Sequence, residues 1–151
     1  MNYSTSKRMQ RGVAIKTEIC YHARMTKKGK IIPNGVVLKE HENATVVFLT
    51  ELGYDVELIP KINIKGIHTP DIKIGKTKWE IKSPKGEGGS LMKNTVQKAL
   101  KQSQYIIIDL RRTKRHQIKC LRELKREFDN SKNLKRVIII TKSGQTLDFK
   151  K

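Results

Sequence analysis

The stretch TPDIKIGKTKWEIKSPKG, residues 69–86, decides how the rest of this chain is read. Gly75-Lys76 is a two-residue turn signal between two alternating segments, which predicts a tight β-hairpin. With that turn as pivot, Ile74 faces Thr77, Ile72 faces Trp79 and Asp71 faces Glu80. Directly opposed residues point to one side of a hairpin, their Cβ atoms about 4.5–5.5 Å apart. Lys82 follows Glu80 by two positions and joins that side. The other side collects Ile72, Ile74, Trp79 and Ile81, an apolar surface suited to a core. Register matters, because a slip of one residue would split the set across both faces.

Opposed carboxylates repel, so Asp71 and Glu80 need a reason to face each other. A divalent cation is one, since hard cations gather carboxylate oxygens. Lys82 beside them can orient a water or stabilise charge on a phosphate. Together the three meet the needs of metal-assisted phosphodiester hydrolysis. The alternative is a solvated hairpin face of mixed charge, on which Lys73 and Lys78 simply pair with the two acids.

Outward from the hairpin the signals alternate between helix and strand. EHENATVVFLTELG has Ala44, Val47, Phe48 and Leu52 at helical spacing and ends in a glycine. YDVELIP reads as a strand that stops at Pro60. After the glycine-rich loop KGEGGS, Ser90 is the expected N-cap of a helix over 91–103 with Leu91, Thr95, Val96 and Leu100 toward the sheet. YIIIDL is a buried strand, residues 114–129 a basic helix, RVIIIT another buried strand and 145–149 a last short one. The fold class predicted is α/β, a mixed central β-sheet flanked by helices. Residues 40–151 form the domain. Residues 1–39 are a basic, partly ordered N-terminal arm with a strand near 13–21 and a Pro-Asn-Gly turn at its end.

Composition narrows the function. The chain has 151 residues, 36% hydrophobic, enough for a packed core. Its 33 basic against 14 acidic residues give a net charge of +19, which points to a polyanionic partner, nucleic acid first. No apolar run has the length of a membrane span, and the N-terminus has no signal-peptide pattern, so the expectation is a protein acting in the cytoplasm. The two cysteines, Cys20 and Cys120, have no metal-ligand spacing and read as free thiols in a reducing compartment.

Pro70-Asp71 with Glu80-Ile81-Lys82 resembles the PD-(D/E)XK nuclease signature, whose core is a helix, a three-stranded meander, a helix and a strand. The resemblance implies a restriction-endonuclease-like arrangement of residues 40–110. It also implies a further acid on the first helix, best matched by Glu42 with Glu40 and Glu51 as rivals. A narrower resemblance covers about residues 40–115. ENATVVFLTELGYDVELIP, TPDIKIGKTKWEIKSPKG and VQKALKQSQYIIIDLRR look like the C-terminal toxin domains of contact-dependent growth-inhibition (CdiA-type) proteins that cleave tRNA. This implies metal-dependent cleavage of tRNA, with DNA as the alternative substrate of the same superfamily, and an immunity protein as partner. It implies Asp71, Glu80, Glu42 and the Ile81 carbonyl as ligands of Mg2+, Mn2+ or Zn2+, and Lys82 as the residue at the attacking water. Oxygen ligands favour the first two metals.

Several basic and amide residues are candidates for substrate contact. Lys85 and the glycines after it lead into a helix N-terminus, where backbone N–H groups can hold a phosphate. Gln97, Lys98, Lys101 and Gln102 follow on that helix. Arg111, Arg115, Lys119, Arg122 and Arg126 are spaced as one stripe down the basic helix, opposite Ile118, Leu121, Leu124 and Phe128. The bland reading of each is a solvated face. With aromatics at 5%, extensive base stacking is not expected, which favours recognition of a double-helical backbone. A basic protein that binds without cutting is the remaining alternative. His22, His41, His68 and His116 form no ligand or nucleophile pattern.

Overall fold

A computed structural model describes residues 18–20, as backbone, and residues 27–151. Eight strands form one mixed sheet in the order β1-β8-β7-β6-β5-β4-β3-β2. The strands are β1 (Glu18–Cys20), β2 (Ile31–Ile32), β3 (Val56–Leu58), β4 (Ile72–Ile74), β5 (Thr77–Lys82), β6 (Tyr105–Asp109), β7 (Arg136–Ile140) and β8 (Thr146–Lys150). Helix α1 (Glu40–Glu51) precedes β3, α2 (Leu91–Leu100) joins β5 to β6, and α3 (Gln117–Asn130) joins β6 to β7. β5, β6 and β7 run parallel, as strands linked by crossover helices do.

The helices lie on both faces. Val46 and Leu49 of α1 cluster with Ile72, Trp79, Ile81, Ile107 and Ile138 on one face. Met92, Val96 and Ala99 of α2 join Cys120, Leu124 and Phe128 of α3 over Ile106, Ile108 and Ile139 on the other. Coverage on both sides explains why YIIID is an unbroken apolar run rather than an alternating one. Ile106, Ile107 and Ile108 are each fully buried, worth about 1.5–3 kcal/mol apiece.

The hairpin has the predicted register: Ile74 pairs with Thr77 and Ile72 with Trp79, about a turn whose Gly75 has φ 60°. Beyond the last paired rung Asp71 donates its N–H to the Trp79 carbonyl at 3.0 Å, so Asp71 and Ile72 both face Trp79 in the manner of a β-bulge. The Pro33-Asn34-Gly35 turn also forms, with Asn34 and Gly35 both at positive φ.

Other expectations shift. Two strands come from the segment ahead of residue 39: β1 pairs with β8, β2 with β3, and they occupy opposite edges of the sheet. The rest of the expected 13–21 strand lies outside the described residues. In α1 the buried positions are Thr45, Val46, Leu49 and Thr50, not the Ala44, Val47, Phe48, Leu52 set. The two threonines read as polar, yet their hydroxyls reach the His41 and Val47 carbonyls, which lets them enter the core.

Ser90 stands at the start of α2 without a side-chain cap, and Met92 and Ala99 join Thr95 and Val96 as the buried positions. Leu91 and Leu100 pack at the margin of that cluster. Helix α3 begins only at Gln117, where the His116 Nδ1 accepts from the Ile118 N–H. Ile118 is exposed, and Cys120, Glu123, Leu124 and Phe128 face inward instead. Among the described residues no helix is long and apolar enough to cross a membrane.

Candidate active site

Alternation along β5 sends Glu80 and Lys82 to the α2 face, on the side of Ile106 and Ile108 with which they pair. Asp71 stands beside them, and both acids are buried, at 4% and 1% exposure. This removes the open, mixed-charge face as a description of the pair. Lys73 is instead bound to Glu57 at 3.3 Å.

Each carboxylate is engaged differently. Asp71 Oδ2 accepts from the Ile81 N–H at 2.8 Å, so the side chain extends the ladder where β4 ends. Its Oδ1 takes the ammonium of Lys61 at 2.5 Å. Glu80 Oε1 accepts from Lys82 Nζ at 2.5 Å and from the Gln102 amide at 2.6 Å. Glu80 Oε2 is buried with no hydrogen-bond partner. Burial pushes the Glu80 carboxyl from its ordinary 4.5 up to about 7; Lys82 opposes this and the Asp71 charge adds to it.

An orphaned carboxylate oxygen beside a second acid fits a divalent cation, which would complete the Glu80 acceptor and offset the repulsion. Asp71 and Glu80 are the acids that could offer oxygens to it. Glu42 stands apart: its Oε2 accepts from the Lys39 N–H at 3.2 Å and so closes the first turn of α1. Among the described residues no three His, Cys, Asp or Glu side chains converge as a metal cluster. Glu42 nevertheless shares with Lys82 a cleft of about 230 Å³ at the C-terminal end of β5. Lys39, His41, Ile81, Ser83 and Lys98 also line it.

The candidate binding residues divide into three groups. Lys85, Gln97, Lys98 and Lys101 are exposed. Gln102 is spent on Glu80 and so supports the site rather than facing outward. The 111–126 stripe is broken because the chain is not helical before residue 117. Arg111 turns back to Asp109 and the Ala44 carbonyl, over the Phe48 ring at 4.7 Å. Arg115 donates to the Gly88 carbonyl at 2.7 Å and pairs with the buried Glu123 at 3.3 Å. Lys119, Arg122 and Arg126 remain exposed and line a groove of about 520 Å³ beside Gly89.

Residues 112–115 hold the loop after β5 in place. Arg112 donates to the Ser83 carbonyl at 2.9 Å, and Thr113 to that of Gly86 at 3.0 Å. His68 is exposed in the loop before Asp71, His116 caps α3, and His22 lies outside the described residues. Cys120 is a buried free thiol; the side chain of Cys20 lies outside the described residues.

Two groups escaped the sequence reading. Lys61 comes from an irregular loop, ten positions from its partner, and no periodicity signals it. Asp109 had a signal: an acid closing an apolar strand, on the α1 face by alternation. Its carboxylate takes five bonds, from the Arg111 backbone and guanidinium and from the Thr45 hydroxyl at 2.7 Å.

No curated protein sequence matches this chain. Among solved structures, a chain of the CdiA-CT/CdiI toxin and immunity complex from Burkholderia pseudomallei has the same fold. It superposes with a TM-score of 0.62 at 18% identity, covering 82% of this chain and 100% of that one. The family model for the contact-dependent growth inhibition CdiA C-terminal domain matches residues 68–146, just over half the chain. That span runs from the hairpin to β8 and includes Asp71, Glu80 and Lys82. The chain belongs to the contact-dependent growth inhibition CdiA C-terminal domain family.

Proposed function

We propose that this domain is a metal-dependent toxin nuclease of PD-(D/E)XK type that hydrolyses phosphodiester bonds in tRNA. One observation carries the reading. Two buried carboxylates and a lysine gather at β4 and β5 in the middle of the sheet, and one carboxylate oxygen there has no partner. A purely structural pair would be expected to satisfy that oxygen. Family membership and the fold shared with a toxin–immunity complex support growth inhibition as the setting.

Asp71, Glu80 and the Ile81 carbonyl would hold the divalent ion, Mg2+ or Mn2+ before Zn2+. When bound, such an ion supplies a Lewis acid for phosphoryl oxygens and a water of lowered pKa. Lys82, bonded here to Glu80 Oε1, would place its ammonium at the attacking water or at the charge developing on the phosphoryl oxygens. Gln102 keeps the Glu80 carboxylate from rotating. Glu42, across the cleft from Lys82, is the third acid available to the site. Lys98 at the cleft, with Lys119, Arg122 and Arg126 along α3, runs with the phosphate backbone of the substrate. With a net charge of +19, the domain is also suited to an acidic immunity protein as its inhibitor.

The test is cleavage of total tRNA and of plasmid DNA, side by side, in Mg2+, Mn2+, Zn2+ or EDTA. Cutting of tRNA alone, abolished by EDTA and by Asp71→Ala or Lys82→Ala, is the expected result. Cutting of DNA instead would keep the site and change the substrate. Salt-sensitive binding without cleavage, equal in all variants, would overturn the enzyme.

A further inference from the structure

The cleft at Lys82 continues past the reacting groups. His41 and Ser83 also line a second cavity of about 180 Å³, with Ala44, Asp109, Arg111 and Arg112 as its other walls. It lies between the first turn of α1 and the turn that follows β6. We infer that this cavity receives the unpaired nucleobase of the nucleotide next to the scissile phosphate. The inference rests on the nuclease reading and specifies which part of a nucleic acid that site accepts.

Size is the first argument. The cavity falls well below the roughly 300–1,000 Å³ of pockets for drug-sized ligands, on the scale of a single heterocycle. A stacked base pair would not enter it.

Charge is the second. Arg111 and Asp109 neutralise each other through bonds of 2.7–3.1 Å, and Arg111 is further tied to the Ala44 carbonyl. That pair adds no net charge, which leaves the Arg112 guanidinium as the one cation among the described residues of the walls without an acidic partner. The remaining walls are the Ala44 methyl, the His41 imidazole, the Arg112 guanidinium and Ser83. Unpaired bases stack on aromatic rings and on guanidinium planes, and they hydrogen-bond through their edges to small polar groups. Arg112 is tied in place by its 2.9 Å bond to the Ser83 carbonyl.

Position is the third. The shared wall of His41 and Ser83 makes the two spaces neighbours, and Ser83 follows Lys82 directly in the chain. A nucleotide whose phosphate lies at Lys82 therefore has a base pocket beside it. Inside a duplex no base is free to enter, so the geometry selects loops, bulges and single-stranded ends. The double-helical backbone favoured by the low aromatic content can lie only on the α3 groove, flanking the cut.

The experiment uses the full chain and an end-labelled RNA hairpin with a single-stranded tail, or its DNA counterpart if DNA is what the protein cuts. A matched series lacks one base at each position around the cleavage point. Wild type, Ala44→Leu and Arg112→Ala are compared by kcat/KM. Ala44 is exposed on α1, so leucine there occupies the cavity without entering the core.

Cutting is expected in the unpaired segment, with about a tenfold loss when one particular base is missing. Ala44→Leu should show a similar loss on the intact strand and no further loss on the strand lacking that base, and Arg112→Ala the same pattern in weaker form. Equal cleavage across the abasic series would overturn the pocket and leave the nuclease standing. So would a loss in Ala44→Leu that is unchanged on the abasic strand, or cutting within duplex as fast as in the tail. No cleavage of any RNA or DNA by wild type would overturn the nuclease reading and the pocket with it.

Discussion

Glu80 and Asp109 sit near the ends of neighbouring parallel strands, on opposite faces of one sheet, and are nearly as buried as each other, at 1% and 2% exposure. Their surroundings differ in kind. Asp109 has both oxygens filled by Arg111 and Thr45. Burial alone would raise its pKa, but those bonds outweigh it and hold the carboxyl below its ordinary value. Glu80 has one oxygen crowded by Lys82 and Gln102 and the other empty, and its pKa rises to about 7. Asp109 is satisfied from inside, whereas Glu80, like Glu123 beside Arg115, keeps a buried oxygen with no hydrogen-bond partner. Glu80, left short beside a second acid, has capacity for something that arrives from outside.

The largest expected effect comes from removing the unsatisfied side of this pair. Glu80→Gln, Asp71→Ala and Lys82→Ala should each lower cleavage about a thousandfold or more while circular dichroism stays native. Asp109→Asn should act first on stability. It strands the Arg111 charge and costs about 2–3 kcal/mol in urea denaturation, short of the full buried-pair value because Arg111 is 32% exposed.

Glu80→Gln sharpens the contrast through stability. In chelator, ionising wild-type Glu80 works against the fold, because the native group binds its proton more tightly than the unfolded one. Wild-type stability should therefore be full below pH 4.5, fall between pH 4.5 and about 7, and level off above. The glutamine variant should be more stable than wild type by on the order of 1–2 kcal/mol at pH 8, with the gain fading toward pH 4.5. A variant that is no more stable at pH 8 would mean that Lys82 fully compensates the buried charge. Smallest is the groove. Arg122→Ala or Arg126→Ala should weaken binding a few-fold on any sequence and reduce the salt slope by about one each.

The hairpin was fully legible because a two-residue turn leaves one register, and period-2 alternation then assigns each face. The faces of Glu80 and Lys82 follow from it, while Asp71 lies one residue beyond the paired rungs. The sequence also conveyed β6 and β7 as buried strands, since isoleucine runs of that length have few other uses. It failed where polar residues take core positions or charged ones are spent internally. Thr45 and Thr50 rotated α1 away from its apolar pattern. Glu123 took a buried place in α3, and Arg115 went to that acid and to the Gly88 carbonyl. Spacing alone made Arg111 and Arg115 part of a stripe, and only the His116 cap, which starts the helix at Gln117, separates them from it. Lys61 could not be foreseen, because the loop that carries it has no period to read.

The contact between Lys61 and Asp71 bears on the order in which the domain is assembled. Two acids set side by side in a low-dielectric site normally need a cation before the chain can close around them, as small zinc-dependent domains do. This fold carries its own counter-ions, one ammonium from the loop before β4 and one from β5 itself. The chain can therefore complete its sheet with both acids already offset by its own ammonium groups. The order of assembly then follows from the chain alone: the loop that carries Lys61 must be in place before Asp71 is closed off from water.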